Sequence, residues 1–307
     1  MQHEPSDASW ATAPPEARLA RARLSLEGLS VADAFGEQLL HAGPHDRVRA
    51  LTDRVAPAGR RWMWTDDTAM ALSIFEQLAE RGEIEPAELA RAFARRYAAE
   101  PARGYGRGAH AVLAEIGSGV HYQEASRALF RGQGSCGNGG GMRAAPIGAY
   151  FAGEPARAAE QATRSALPTH AHPDGIAGAV AVAVAASVVF AGERDPRAVL
   201  EAAAAYAPAG PTREGLRRAQ PLLGAEPVTV AAELGNGSRV LAADTVPFAV
   251  WCAAVHLGDY AGALWACGGV GGDIDTTCAM AGGIIAGAVG EGGIPAAWRA
   301  ARESLPL

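Results

Sequence analysis

The stretch Ile176-Ala-Gly-Ala-Val-Ala-Val-Ala-Val-Ala-Ala-Ser-Val-Val-Phe-Ala191 decides the fold. Val180, Val182 and Val184 alternate as in a strand, but the residues between them are alanines, so the period of two marks no polar face and length favours a helix. That helix is apolar on every side, broken only by Gly178 and Ser187, and falls short of the roughly 20 residues that a bilayer span needs. It reads as a helix buried in a large core. Residues 279–288 have the same Gly- and Ala-rich character. Further helices are expected over 17–40, 68–81, 86–99, 108–116, 122–131, 155–167, 196–206, 245–257, 260–267 and 277–288, where good helix formers run between Gly and Pro punctuation. The expected fold is all-α: a compact single-domain bundle of many helices over 17–307, preceded by a disordered polar tail at 1–16. Segment 207–243, with its APAGPT, GAEP and GNGS turns, is the best candidate for a domain boundary. One domain is preferred because the acidic motifs on either side of it make chemical sense only together.

Composition narrows the function. The 307 residues are 49% hydrophobic and 20% charged, a globular balance that excludes disorder. A net charge of -6 supplies no basic field for nucleic acid, and no local basic patch stands out. All 27 basic residues are arginine, which excludes a Schiff-base lysine and a P-loop lysine. Cys136, Cys252, Cys267 and Cys278 form no CxxC pair, and the N-terminus has no basic start followed by an apolar run. The expectation is a reduced, cytoplasmic chain with no membrane segment, and a monomer.

Two acidic clusters open helices. Trp64-Thr65-Asp66-Asp67-Thr68 has the chemistry of an N-cap followed by first-turn carboxylates; alone it reads as a helix cap. Gly271-Gly272-Asp273-Ile274-Asp275-Thr276 offers several hard oxygens behind a glycine run that lets another group approach closely. Together they suit Mg²⁺ or Mn²⁺ rather than Zn²⁺, and two ions at roughly 3.5 to 4 Å are possible. The loop Gly132 to Arg143 exposes backbone N–H groups able to cradle a diphosphate, with Arg143 available for an anion or an acidic partner. Gly104-Tyr105-Gly106 adds an aromatic that could stack on a base or ribose. In Thr169-His170-Ala171-His172-Pro173, His170 is assigned to the substrate and His172 to the helix start. Asp33 and Glu37 share a face of the first helix, so an acid there could be a general base, although solvated surface carboxylates are commoner.

Five of these motifs, Ala32-Asp33-Ala34-Phe35-Gly36, Trp64 to Thr68, Ser135-Cys136-Gly137-Asn138-Gly139 with Met142-Arg143, Thr169-His170 and Gly271 to Thr276, occur in an order that resembles the ADP-ribosylglycohydrolase family. The resemblance runs from about Leu24 to Gly287. It implies an all-α fold with a cleft holding two Mg²⁺ or Mn²⁺ ions, Thr65, Asp66 and Asp67 on one side and Asp273, Asp275 and Thr276 on the other. It implies that Gly104, Tyr105, Gly106, Ser135, Gly137, Asn138, Gly139 and His170 surround an ADP-ribose moiety carried by a modified protein or small molecule. The implied reaction hydrolyses the bond between ADP-ribose and its acceptor.

Two positions depart from the family pattern. Members acting on ADP-ribosyl-serine carry a glutamate seven positions after the aspartate matching Asp33, where this chain has Leu40. Glu37, one turn earlier, is the candidate catalytic substitute, with Asp66 or Asp67 as alternative bases. Cys136 stands where some members place an aromatic over the ligand. A non-catalytic ADP-ribose-binding protein is the competing expectation. An aspartate-rich diphosphate enzyme is excluded, since position 70 is Met.

Overall fold

A computed structural model describes residues 13–57 and 61–307. Residues 1–12 of the expected tail lie outside the described residues, and at its far end the first helix has already begun. The helices, in chain order, are α1 (Pro15–His41), α2 (Pro44–Asp53), α3 (Asp66–Arg81), α4 (Pro86–Ala99), α5 (Arg107–Gly117), α6 (Tyr122–Gly132), α7 (Gly139–Met142), α8 (Ala145–Tyr150), α9 (Pro155–Ala166), α10 (Pro173–Phe190), α11 (Pro196–Tyr206), α12 (Pro211–Ala219), α13 (Pro227–Leu234), α14 (Ala242–Val255), α15 (Tyr260–Gly269), α16 (Ile274–Gly293) and α17 (Ala296–Ala301). Among the described residues there is no strand, only the isolated bridges Trp62–Arg302 and Gly137–Leu241. The all-α expectation holds.

Proline sets many of the helix starts: Pro15, Pro44, Pro86, Pro155, Pro173, Pro196, Pro211 and Pro227 each open a helix, where a missing N–H costs nothing and φ is already suitable. The same rule adds helices to 207–243, which the sequence presents as a run of turns. Pro211 and Pro227 there start α12 and α13, which pack on α14. The helices α2, α7, α8 and α17 were also not expected; α7 and α8 are short and α7 is mostly glycine, so neither carries a period.

The α10 helix is the core element the sequence suggested, buried along most of its length against α7, α8, α9, α11, α14 and α16. By length and composition it is apolar enough to cross a membrane, but most of it is buried inside the protein.

The pairing that positions the site is between α1 and α16, which lie far apart in the chain and touch backbone to backbone. A Cβ on Gly28 would sit 2.6 Å from the Gly282 carbonyl oxygen, and one on Gly36 would sit 2.5 Å from the Asp275 Cα. Ser25 Oγ donates to the Gly283 carbonyl at 2.8 Å, and Tyr260 from α15 donates to the Gly28 carbonyl at 2.5 Å. Only glycine permits this approach.

Gly36→Ala is expected to lower the unfolding free energy by about 1–3 kcal/mol, because the obstacle is backbone and cannot rotate away. Gly117→Ala, where a Cβ meets nothing within 4 Å, is expected to be neutral or slightly stabilising. Urea denaturation of both variants measures the difference.

Candidate active site

Asp33 stands at the centre. Carried by α1 and fully buried, its carboxylate accepts hydrogen bonds from the start of α3: Thr65 N at 2.9 Å, Thr65 Oγ1 at 2.8 Å, Thr68 N at 3.1 Å and Thr68 Oγ1 at 2.5 Å. These include orphan amides of a helix N-terminus, so Asp33 caps α3 from another helix. Thr65 is also the local N-cap, its Oγ1 lying 2.9 Å from Asp67 Oδ2. Asp66 N donates to the Arg103 carbonyl at 2.7 Å, which brings Gly104 against the Asp66 carboxylate.

The second cluster is held by a loop that sequence reasoning treated only as a turn. The Asn236 carbonyl accepts from Asp273 N at 3.2 Å, and Gly237 lies against the Asp273 side chain. Asn236 Nδ2 donates to the Val270 carbonyl at 3.0 Å. From the glycine-rich loop, Asn138 Nδ2 donates to Asp273 Oδ2 at 2.6 Å. Gly271 and Gly272, at φ 70° and 81°, turn the chain into α16, and the Gly36 contact sets Asp275 beside α1. The repeated glycines of the segment 235–237 were the available signal for this brace.

Gathering four or more carboxylates in a buried cleft raises their proton affinity. Burial pushes Asp33 up to about 6, against the pull of its Thr68 and Thr65 donors. Burial and then the Asp33 charge push Asp66 up to about 8. Asp67 is raised well above the usual range by burial, then by Asp33 and Asp275, and Asp275 by burial, then by Asp273 and Asp33. Asp67 Oδ1 and Asp275 Oδ1 are buried with no hydrogen-bond partner. Unpartnered buried carboxylate oxygens, with the hydroxyls of Thr65 and Thr276 beside them in sequence, form a donor set suited to a hard divalent cation. Among the described residues no three such side chains already close on a common point as a cage.

The glycine-rich loop lies over His170. A Cβ on Gly139 would sit 3.4 Å from His170 Nε2, and one on Gly137 would sit 3.5 Å from it. Ser135 Oγ accepts from Gly137 N at 3.1 Å, which shapes the turn. His172 caps α10 by accepting from Asp174 N at 3.1 Å, as expected. Arg143, expected to be available for an anion or an acidic partner, turns into the core, where its charge still acts on Asp66. Its guanidinium is 1% exposed, donates to the carbonyls of Gly139 and Ser165 and to Thr169 Oγ1, and lies 4.5 Å from the Phe93 ring centre. Tyr105 is buried edge-on against Tyr97, ring centres 5.1 Å apart, rather than displayed as an open stacking platform. Glu37 is half-buried and pairs with His41 at 3.0 Å on its own helix, apart from the hydrogen-bonded acidic cluster.

A cavity of about 940 Å³ opens beside this assembly, lined by Cys136, His172, Asn236, Ser238, Arg239 and Leu241 among others. Asp33, Asp66, Asp67, Asp273 and Asp275 do not line it; its own carboxylates are Asp174, Glu214, Glu233 and Asp244. It meets the site through Asn236, which braces Asp273, and through the Gly137–Leu241 bridge.

The sign of the pH dependence follows from the raised carboxyls. The folded protein holds protons that the unfolded chain releases, so without metal the carboxyls cost nothing below the ordinary Asp range. The cost grows with pH and is complete above about 6 for Asp33 and about 8 for Asp66. The metal-free melting temperature is expected to fall between pH 5 and pH 8 as far as these groups decide it. Millimolar Mn²⁺ is expected to flatten or reverse that trend, since binding requires the ionised form. Thermal melts with Mn²⁺ and with EDTA across this range check it.

The chain is similar to known proteins over most of its length. The sequence model of the ADP-ribosylglycohydrolase family, described as "ADP-ribosylglycohydrolase", matches residues 14–305. The chain is 30% identical to "ADP-ribosylhydrolase ARH3" of Danio rerio, covering 95% of this chain and 88% of that protein. It is 31% identical to "ADP-ribosylhydrolase ARH3" of Homo sapiens, covering 78% and 74%. A solved "ADP-ribosylglycohydrolase-related protein complex" shares the fold at a TM-score of 0.66 and 24% identity, over 94% of both chains.

Proposed function

The chain belongs to the ADP-ribosylglycohydrolase family, and from that premise we propose that it is a Mg²⁺- or Mn²⁺-dependent hydrolase cleaving the glycosidic bond between ADP-ribose and a modified acceptor. The observation that carries the reading is the meeting of two acidic helix starts, with Asp67 Oδ1 and Asp275 Oδ1 buried and unpartnered. Thr65, Asp66, Asp67, Asp273, Asp275 and Thr276 would hold two ions. Bound there, the metal supplies orientation of ribose hydroxyls and of a water, and offsets developing charge.

The chain's own residues supply the rest. Gly137 and Gly139 present a side-chain-free surface to the diphosphate, and Asn138 between them holds Asp273 in place through its side-chain amide. Ser135 fixes the turn beneath it. Gly104 and Gly106 flank the buried Tyr105, and Gly104 leaves room beside Asp66. Proton removal from the attacking water is assigned to Glu37. It lies one turn after Asp33 on the same face of α1, and its His41 partner is 75% exposed, so the pair separates at little cost. Bond cleavage at C1 leaves the acceptor to take a proton, as in other glycoside hydrolysis.

Leu40 favours a second reading, an ADP-ribose binder without turnover, because no carboxylate stands at the position where serine-specific members carry one. Release of ADP-ribose from ADP-ribosyl-serine, ADP-ribosyl-arginine and O-acetyl-ADP-ribose, with Mg²⁺, Mn²⁺ or EDTA, separates the two. Metal-dependent release from at least one substrate is expected, and ADP-ribose bound without any release would favour the binder.

Asp66→Ala and Asp273→Ala are each expected to abolish Mn²⁺ binding in calorimetry together with turnover. Glu37→Gln is expected to lower kcat by about 10² to 10⁴ while leaving Mn²⁺ affinity unchanged. An unchanged kcat would pass the proton to Asp66 or Asp67.

A further inference from the structure

We infer that Arg143 and Thr169 are positioning residues: they fix His170 as the tautomer protonated on Nε2 and aim that N–H at a ligand anion lying over Gly137 and Gly139. The three side chains form a directed chain. Arg143 Nη2 lies 2.8 Å from Thr169 Oγ1, and Thr169 Oγ1 lies 2.7 Å from His170 Nδ1. A guanidinium only donates, so Thr169 Oγ1 must accept from it. The single hydroxyl proton is then free for His170 Nδ1. The opposite arrangement, Nδ1–H donating to Thr169, would leave that proton with no recorded acceptor at a site only 3% exposed. With Nδ1 accepting, a neutral ring carries its proton on Nε2.

The ring is neutral for two physical reasons: burial, and then the Arg143 charge, hold His170 down to about 3. The space before Nε2 exists because two glycines border it, and Cβ atoms on Gly137 and Gly139 would stand 3.5 and 3.4 Å from that nitrogen. No hydrogen-bond partner for Nε2 is recorded among the described residues, and Gly139, whose carbonyl Arg143 also holds at 3.0 Å, keeps its place above the ring. Arg143 therefore acts on a ligand through two intermediaries, the loop and the imidazole. Naming the acceptor as the diphosphate of ADP-ribose rests on the proposed function; the tautomer does not.

The test combines two readouts. Long-range ¹H–¹⁵N spectra of ¹⁵N-histidine protein, with His170 assigned by His170→Asn, are expected to show Nδ1 unprotonated and Nε2 protonated in the metal-free wild type. Thr169→Val, which removes the hydroxyl at similar volume, is expected to redistribute that tautomer and weaken ADP-ribose binding about tenfold. Thr169→Ser, keeping the hydroxyl, is expected to restore both. Protonated Nδ1 in the wild type overturns the inference, a reading that needs no variant to fold. Weaker binding by Thr169→Val with the tautomer unchanged also overturns it, since the loss would then be packing. If wild type binds no ADP-ribose, the proposed function fails while the spectra still decide the tautomer.

Discussion

Two helices from opposite ends of the chain touch through their backbones, and everything chemical in this protein depends on that contact. The approach of Gly36 to the Asp275 backbone, and of Gly28 to Gly282, lets α1 lie directly on α16. Asp33 thereby reaches the cleft from within the core while still capping α3. Two helices, α1 and α3, are tied together at that carboxylate, and α16 joins them through the Gly36 and Gly28 contacts. A side chain larger than hydrogen along this seam would push α1, and with it the acidic start of α3, away from that of α16.

The electrostatic consequence is a site made unfavourable on purpose. Asp66, Asp67 and Asp275 are each raised by burial and by one another, and two of their oxygens have no protein partner. Such an arrangement persists because packing elsewhere over-determines it, chiefly the all-apolar α10 and the Gly- and Ala-rich α16. The positive ends of the α3 and α16 dipoles lower the cost only in part. On the proposed function a divalent cation would take over the part that protons play here, so that metal affinity and sensitivity to pH would be two aspects of one charge arrangement.

Much of this was legible before any coordinates. Helix identity was readable wherever caps, Pro starts and length agreed, and both acidic clusters were visible because helix-opening carboxylates next to Thr or Gly are local patterns. What could not be read is what depends on three-dimensional direction. Arg143 sits in a glycine-rich loop, where an arginine is expected to face solvent or an anion, yet it turns inward to Thr169 and Phe93. Tyr105 has the glycine neighbours of an exposed aromatic and is buried on Tyr97. Asn236 reaches Asp273 through its main-chain carbonyl, a contact that side-chain chemistry does not announce. The prolines of 207–243 were read as breaks when they were helix starts, since Pro marks both.

The separation in sequence between α1 and α16 has a temporal meaning. During synthesis the N-terminal helices emerge first, and they can form locally while the cleft still lacks one wall. Residues 273–276 come well after them in the chain, so until they emerge the nascent chain carries Asp33, Asp66 and Asp67 with nothing opposite them. Non-local closure of this kind is entropically slow relative to helix formation. A product terminated before residue 273 would therefore keep much of its helical content while lacking one wall of the acidic cleft, so that an assembled site marks a chain grown past α16.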